Sequence, residues 1–210
     1  MMPPDGTIKA IVFDLDGTLY VSQQFEQVVW QSASRYAGDL LGVAPEEGGQ
    51  QLIRLRQQLT IERGTLQTLA VAIETLGGTV PELHRRFAEE LEPHHHIEPD
   101  PRVAPLVEAL GQRYTSWLLT NNNRTLTDKI LVTLGLEAAF ERVITINETW
   151  RPKPDESVLD EVLEELGHGP EQVLFVGDRY DIDLRLPAAR GCPVLLTTTV
   201  DELMALSALL

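Results

Sequence analysis

The sequence Asp14-Leu15-Asp16-Gly17-Thr18 directly follows a run of apolar residues near the start of the chain. Two carboxylates two residues apart can divide a reaction, because one can bind a metal ion and attack while the other moves protons. Gly17 permits the tight turn that such a loop needs. The same pattern is also typical of a plain turn after a strand. The motif therefore indicates a reactive site only in combination with other suitable residues.

Three further groups of polar residues follow later apolar runs. Thr120 precedes three asparagines, where a hydroxyl beside backbone N–H groups can hold a phosphate oxygen, although a helix cap is the simpler reading. Lys153 lies between two prolines that restrict its backbone, so its ammonium could neutralise a nucleophile and a transferring phosphoryl group. Asp178, Asp181 and Asp183 form the last group. Carboxylates this close repel each other unless a cation binds, and hard oxygen ligands suit Mg²⁺.

Five short apolar runs predict strands, and continuous apolar strands are typical of a parallel sheet that is buried on both faces. The runs span residues 8–13, 114–119, 142–146, 173–176 and 193–196. Helical patterns alternate with the later strands, at residues 102–111, 124–134 and 158–166. The alternation predicts an α/β fold with a doubly wound parallel sheet, in which ligands bind at the carboxyl ends of the strands.

Residues 21–98 interrupt this alternation, because they contain four amphipathic helical patterns and no convincing strand. The predicted organisation is a catalytic core, residues 1–20 and 99–210, with a helical domain at residues 21–98. A proline-rich segment, residues 92–101, would return the chain to the core.

Composition limits the partners of the chain. A net charge of −15 argues against nucleic acid or an anionic membrane as the main partner. The apolar runs are too short to cross a bilayer, and residues 1–8 do not resemble a signal segment, so we expect a cytoplasmic protein. Cys192, the single cysteine, excludes an internal disulfide and is expected to pack beside a strand. The histidines at 94–96 are expected to lie in a solvated loop, because adjacent rings cannot easily share one ion.

Taken in order, the four motifs resemble those of the haloacid dehalogenase-like (HAD) hydrolase superfamily, which has a Rossmann-like core. The matching residues are Asp14 to Thr18, Thr120, Lys153, and Gly177-Asp178 with Asp183. The resemblance covers residues 8–20 and 100–200. The insert at 21–98 resembles the superfamily's helical cap of the first type.

The resemblance implies a Mg²⁺-dependent phosphatase that acts through an aspartyl-phosphate. Asp14 would be the nucleophile, and Asp16 would protonate the leaving group and then activate water. Thr120 and Lys153 would hold the phosphoryl group. The metal ligands would be Asp14, Asp16 through its backbone carbonyl, and Asp178, with Asp183 supporting the metal or Lys153. Because an alkoxide leaving group needs a proton and a halide does not, Asp16 favours phosphate esters over haloacids.

The expected substrate is a small phosphorylated metabolite, selected by a cap that closes over the site. Tyr20 resembles a residue of pyrimidine 5′-nucleotidase-like members, while phosphoglycolate and sugar-phosphate phosphatases share the same core. Candidate substrate contacts are Tyr20, Thr120, Asn121, Asn122, Lys153, Arg63 and Arg179. Two alternatives stay open: a phosphomutase, and a non-catalytic module that binds Mg²⁺ or phosphate. The sequence also leaves open the oligomeric state and a metal contact by Asp181.

Overall fold

A computed structural model describes residues 8–210. Residues 1–7 lie outside the described part of the chain. They belong to the predicted core, and they make up most of the segment that we do not expect to be a signal. The strands are β1 (Ala10–Phe13), β2 (Thr115–Leu119), β3 (Arg142–Ile144), β4 (Val173–Gly177) and β5 (Val194–Leu196). They form one parallel sheet in the order β3–β2–β1–β4–β5. The predicted parallel α/β fold is therefore confirmed.

The central strand β1 is buried along its whole length and has a neighbour on each side. Successive side chains of a strand point to opposite faces of the sheet. Accordingly, Ile11 and Phe13 belong to one hydrophobic cluster, whereas Ala10 and Val12 belong to another. Both faces are thus covered, which explains why this strand is an uninterrupted apolar run.

Residues 21–98 are helical, as predicted. The helices are α1 (Gln23–Leu41), α2 (Pro45–Arg63), α3 (Leu69–Thr75) and α4 (Val80–Glu90), and a short 3₁₀ turn follows at Pro93–His95. The hydrophobic cluster that contains Phe13 also includes Phe25, Leu52 and Phe87 from these helices. The role of this insert as a separate cap domain stays a prediction.

Ser22 joins the two ends of the insert. Its hydroxyl accepts a hydrogen bond from the backbone N–H of Phe25 (3.1 Å), which caps α1, and donates to the carbonyl of His96 (2.6 Å). One side chain therefore starts the first helix and holds the segment that returns to the core. The neighbouring His94 and His95 are exposed, as expected for a solvated loop, whereas His96 is half-buried and its Nδ1 is buried without a hydrogen-bond partner.

The remaining helices surround the sheet. They are α5 (Val103–Gly111), α6 (Arg124–Leu134), α7 (Ile146–Thr149), α8 (Glu156–Leu166), α9 (Arg185–Ala189), α10 (Val200–Met204) and α11 (Leu206–Leu209). A 3₁₀ turn lies at Pro170–Gln172 and a π-helical turn at Tyr180–Leu184. Across the described residues, none of the helices has the length and hydropathy needed to cross a membrane.

The ends of α8 and of β3 illustrate what local signals can and cannot predict. From the sequence, Asp155 or Ser157 could cap α8, and Gly167 could end it. In the structure Asp155 is the cap, because it accepts a hydrogen bond from the backbone of Val158 (3.0 Å), and Gly167 ends the helix in the left-handed conformation. In contrast, β3 ends two residues earlier than predicted. The backbone N–H of Thr145 bonds to the Glu148 carboxylate (3.1 Å), which turns the chain into α7 instead of extending the strand.

Two core side chains hold the insert against the core by binding backbone carbonyls of α4 and the residues after it. The amide nitrogen of Asn123 donates to the carbonyl of His84 (2.9 Å). The ammonium of Lys129, on α6, donates to the carbonyls of Ala88 (3.1 Å) and Leu91 (3.0 Å). These bonds place the insert beside the carboxyl ends of the strands.

Cys192 is buried beside β5, as predicted from its sequence context. Burial raises the pKa of its thiol to about 11. The reactive thiolate is therefore scarce at neutral pH, and the cysteine serves the packing of the core.

Candidate active site

The predicted site residues lie at the carboxyl edge of the sheet. Asp14 follows β1, Thr120 follows β2 and Asp178 follows β4. Parallel strands bring these three ends to one edge, where ligands bind in folds of this type. Lys153 reaches the same place from the loop between α7 and α8.

Lys153 lies between two buried carboxylates. Its ammonium donates to Oδ1 of Asp14 (2.6 Å) and to the carbonyl of Leu119 (2.8 Å), and lies 2.7 Å from Oδ1 of Asp183. The three charged side chains are between 4% and 7% exposed, so solvent screens them little. The group joins Asp14 after β1, Lys153 from the loop before α8 and Asp183 from the π-helical turn into one charged cluster.

The pKa values of this cluster show how its charges are balanced. Burial, with repulsion from Asp183, raises the pKa of Asp14 to about 7. Burial opposes the charged form of Lys153, but the two carboxylates outweigh it and raise its pKa. Burial likewise opposes the charge of Asp183, yet Lys153 and Arg179 hold its pKa below the usual range. Asp14 is therefore the member that would gain most from one more positive charge.

Asp16 is held by two donors. The Tyr20 hydroxyl donates to its Oδ1, and the amide nitrogen of Asn122 donates to its Oδ2 (2.7 Å). Burial raises the pKa of Asp16, while these two bonds oppose the rise by favouring the charged form. A carboxyl group with a raised pKa suits a residue that first gives and then takes a proton.

Three carboxylates could hold a divalent cation. Asp14, Asp178 and Asp183 each offer an oxygen, and these oxygens lie within 4.8 Å of one another. Oδ1 of Asp178 is buried and makes no hydrogen bond, although Nε of Arg179 lies 3.3 Å away. Burial raises the pKa of Asp178 to about 6 even though Arg179 opposes the shift. These hard oxygen ligands and the under-satisfied carboxylate fit Mg²⁺.

Two glycines permit the carboxylates to approach so closely. Gly17 has a φ of +80°, and a Cβ on it would overlap the carboxylate of Asp178. A Cβ on Gly177 would lie 2.6 Å from the Cβ of Asp183. Any larger residue at either position would push an acidic side chain out of the site.

The polar residues after β2 support the catalytic candidates. The hydroxyl of Thr120 is buried and accepts a hydrogen bond from the backbone of Asn122 (3.1 Å). The amide of Asn121, a candidate substrate contact, donates to the carbonyl of Lys153 (3.1 Å) and accepts from its backbone N–H (2.7 Å). Although Asn121 also lines the cavity described below, its amide is engaged with the loop that carries the ammonium.

The remaining sequence candidates lie in different places. Nε of Arg179 is 3.3 Å from Asp178 and 3.7 Å from Asp183, so this arginine lies at the site. Arg63 instead donates to the side chain of Gln67 (3.0 Å) and is absent from the cavity lining. Asp181 accepts a hydrogen bond from the backbone of Leu66 (3.4 Å), outside the carboxylate cluster.

A cavity of about 810 Å³ opens above Asp16, between the core and the insert. The core contributes Asp16, Gly17, Asn121, Asn122, Asp178 and Arg179, among others. The insert contributes aromatic and polar side chains, among them Phe25, Trp30, Gln27, Arg56 and His84. Sequence motifs did not indicate these insert residues. The one available signal was a row of polar residues at helical spacing on α1, all of which line the cavity: Gln23, Gln27 and Gln31.

His84 is a buried histidine at this cavity. Its ring packs edge-on against Phe87 with the centroids 5.6 Å apart, and its Nδ1 is buried without a hydrogen-bond partner. Burial lowers its pKa to about 4, so the ring is neutral near pH 7. It contributes an uncharged wall to the cavity.

The chain matches a known protein family over most of its length. The profile of the haloacid dehalogenase-like hydrolases matches residues 8–191. The chain belongs to this family. The resemblance inferred from the four motifs is thereby confirmed.

Individual relatives share most of the chain at low identity. A glyceraldehyde 3-phosphate phosphatase from Methanopyrus kandleri is 26% identical over 185 residues, 85% of this chain and 78% of the relative. The structure of a HAD phosphatase from Thermococcus onnurineus gives a TM-score of 0.64 at 19% identity, covering 95% of this chain and 98% of that chain.

A 2-haloacid dehalogenase from Pseudomonas syringae gives a TM-score of 0.56 at 24% identity, covering 90% of this chain and 86% of that chain. At such identities these structures bear on the fold alone. The fold is shared by phosphatases and dehalogenases, so the choice of reaction depends on the site.

Proposed function

We propose that this HAD-family hydrolase is a Mg²⁺-dependent phosphomonoesterase that acts through an aspartyl-phosphate on Asp14. The observation that carries the proposal is the pairing of two differently held carboxylates. Asp14 is bonded to the Lys153 ammonium, whereas Asp16, two residues on, is bonded to the neutral donors Tyr20 and Asn122. One is suited to attack, and the other to transfer protons.

In the first step, a carboxylate oxygen of Asp14 forms a bond to phosphorus as the ester P–O bond breaks. The leaving alkoxide takes the proton of Asp16. Lys153, 2.6 Å from Asp14, neutralises charge on the nucleophile and on the transferring group. Thr120 supplies a buried hydroxyl at the same edge of the sheet.

In the second step, Asp16 takes a proton from water, and the water oxygen attacks phosphorus. The bond between phosphorus and Asp14 breaks, which releases inorganic phosphate and restores both carboxyl groups to their starting states. The raised pKa of Asp16 supports both roles, because a group that titrates nearer neutrality can give and regain a proton more readily.

Asp14 and Asp178 would hold Mg²⁺, with Asp183 beside them and the backbone carbonyl of Asp16 as a further candidate ligand. The metal would neutralise the crowded carboxylates and the phosphoryl oxygens. Asp183 is shared with Lys153, so we assign it the support of the ammonium as well as of the metal.

The proposed substrate is a small phosphorylated metabolite. The name of the Methanopyrus relative, a glyceraldehyde 3-phosphate phosphatase, supports a phosphate ester over a haloacid. Asp16 supports the same choice, because only an alkoxide leaving group requires its proton. The insert, residues 21–98, would act as the cap that covers the cavity, with residues 1–20 and 99–210 as the catalytic core.

The decisive experiment is a panel of phosphate esters with Mg²⁺, assayed for inorganic phosphate with the wild type and Asp14→Asn. We expect turnover by the wild type on at least one ester and a loss on the order of 10³-fold or more in the variant. Asp181→Asn is the matched control and should retain activity. Equal hydrolysis by wild type and Asp14→Asn would exclude Asp14 as nucleophile. Transfer to a second substrate hydroxyl without phosphate release would instead indicate a phosphomutase.

A further inference from the structure

The insert contributes one fixed cation to the cavity. Arg56, on α2, is partly buried, and its Nε and Nη2 both donate to the carbonyl of Gln67 (3.1 and 3.0 Å). Gln67 is itself only 7% exposed, so its carbonyl is a firm anchor. The guanidinium has five N–H donors, and these two bonds leave its Nη1 group available to a ligand.

The other cavity groups that could carry positive charge are already engaged or neutral. Arg179 lies 3.3 Å from Asp178 and 3.7 Å from Asp183, and His84 is buried without a positive charge near pH 7. Within residues 8–210, Arg56 forms no ion pair with a carboxylate. It is thus the cavity cation that lacks an acidic partner in this part of the chain.

A partly buried, unpaired cation is costly in a protein interior. Burial and the nearby charge of Arg179 lower the pKa of Arg56, so its surroundings disfavour the charge. The chain has 32 acidic residues and a net charge of −15, so acidic partners are abundant elsewhere. A bound anion in the cavity would offset this cost.

We propose that Arg56 binds a second anionic group on the leaving-group side of the substrate. The inference rests on the proposed phosphatase function and narrows its substrate class to phosphate esters that carry a carboxylate or a second phosphate. Arg56 lines the cavity from the insert, and Asp16 and Asn121 line it from the core. One substrate in the 810 Å³ cavity can therefore contact both walls.

If Arg56 binds a second anionic group, this chain should prefer a different substrate from the one in the name of its Methanopyrus relative. Glyceraldehyde 3-phosphate has one anionic group, whereas 3-phosphoglycerate has the same carbon skeleton and a carboxylate in place of the aldehyde. We expect the wild type to prefer 3-phosphoglycerate in kcat/KM. A second pair, fructose 6-phosphate and fructose 1,6-bisphosphate, distinguishes a second phosphate from a carboxylate.

Arg56→Gln should reduce the preference for the anionic member of the favoured pair by about 10- to 100-fold, the range typical of a hydrogen bond between charged groups. Most of the change should lie in KM, because the contact is remote from the reacting atoms. Arg56→Lys keeps the charge but loses the planar fork, so it should retain an intermediate preference. Arg54→Gln removes an exposed arginine of the same helix and should leave the preference unchanged.

A preference that Arg56→Gln leaves intact, or no preference in either pair by an active wild type, would overturn the inference. Calorimetry in the presence of Mg²⁺ measures binding of the same four compounds directly. The Asp14→Asn variant is used because it lacks the proposed nucleophile, so this measurement does not depend on turnover. If no ester is hydrolysed but the anionic compounds bind more tightly through Arg56, the proposed reaction fails and the anion site stands. If esters are hydrolysed and Arg56→Gln changes neither binding nor preference, the anion site fails alone.

Discussion

Asn121 and Lys153 bind each other through two hydrogen bonds between one side chain and one backbone. The Asn121 amide donates to the Lys153 carbonyl (3.1 Å), and the Lys153 N–H donates to the Asn121 oxygen (2.7 Å). The two residues are 32 positions apart, so this pair joins the loop after β2 to the loop that carries the ammonium. The ammonium beside Asp14 is thus placed by backbone contacts as well as by its own ion pairs.

Replacing Asn121 should therefore reduce the rate without removing any group that reacts. In Asn121→Ala, the Lys153 loop loses both bonds, and a displacement of about 1 Å can lower a rate by about 100-fold. We expect kcat to fall for a phosphate ester while Mg²⁺ affinity stays close to that of the wild type. Asn147→Ala also removes an amide that accepts a hydrogen bond from a backbone N–H, that of Arg124 (2.7 Å), but it does not contact Lys153, so it is the matched control. Wild-type kcat in Asn121→Ala would show that the pair does not position Lys153.

Tyr20→Phe should move the pH dependence of the rate. The Tyr20 hydroxyl stabilises the charged form of Asp16, so it lowers a pKa that burial has raised. Removing the hydroxyl should raise the pKa of Asp16 further, and the limb of the kcat profile that reports Asp16 should move to higher pH. Tyr114→Phe removes a hydroxyl that donates to the carbonyl of Leu210, and it should leave the pH profile unchanged. Coincident profiles for the wild type and Tyr20→Phe would argue against Asp16 as the proton carrier.

Asp178→Asn should weaken Mg²⁺ binding. The loss should be no smaller than the roughly 10- to 100-fold that is typical of residues which merely support a metal ligand. The pKa of Asp178 is raised to about 6, and a carboxylate must be deprotonated to bind. The pKa of Asp14, the other proposed ligand, is about 7, so wild-type affinity for Mg²⁺ should fall as the pH drops through 7 and further as it drops through 6. Titration calorimetry measures both effects, and a chelator should abolish turnover until Mg²⁺ is restored.

Asp181→Asn provides the control for this experiment. Asp181 lies outside the carboxylate cluster and contacts the backbone of Leu66. The variant should bind Mg²⁺ as the wild type does. If Asp181→Asn loses the metal while Asp178→Asn retains it, the assignment of the ligands is reversed.

His84 should make the folded state less stable in acid. Its pKa is about 4 in the folded state against an ordinary value of 6.5, so between these values the unfolded chain binds more protons. The stability that depends on the neutral ring is fully present above pH 6.5 and is lost as the pH falls towards 4. The full effect is about 3 kcal/mol by the usual conversion of pKa shifts.

The measurement is urea unfolding of the wild type and His84→Leu across this window. Because leucine cannot take up a proton, the free energy of unfolding of His84→Leu should depend less steeply on pH. His95→Gln, at an exposed histidine, should retain the wild-type slope. Equal slopes for all three proteins would show that His84 does not contribute to acid sensitivity.

Some of the site could be predicted because the physics is local to short segments. An apolar strand followed by Asp14-Leu15-Asp16-Gly17 places carboxylates at a strand end, and parallel strands gather such ends at one edge. Lys153 was also recognisable from its immediate neighbours, because prolines on both sides restrict its backbone. The order of these motifs also sufficed to predict the family, which the profile match confirms.

Other features depended on contacts that no local pattern encodes. The amide of Asn121 could have faced a substrate, but folding places it on a backbone that lies 32 residues away. Arg56 belongs to an amphipathic helix whose sequence predicts a solvated face. Its position in the cavity follows from the close packing of α2 on α1, where a Cβ at Gly48 would lie 2.7 Å from the Ser34 carbonyl.

The sequence by itself thus determined the parallel sheet, the edge at which chemistry can occur and the residue types gathered there. It did so because strand burial and turn geometry are short-range consequences of apolar runs and glycines. Only the tertiary structure decided which donors hold Asp16, how Lys153 is fixed and which cation of the insert meets the cavity. Those contacts arise when helices distant in sequence pack together, and many polar faces are compatible with the same helical pattern.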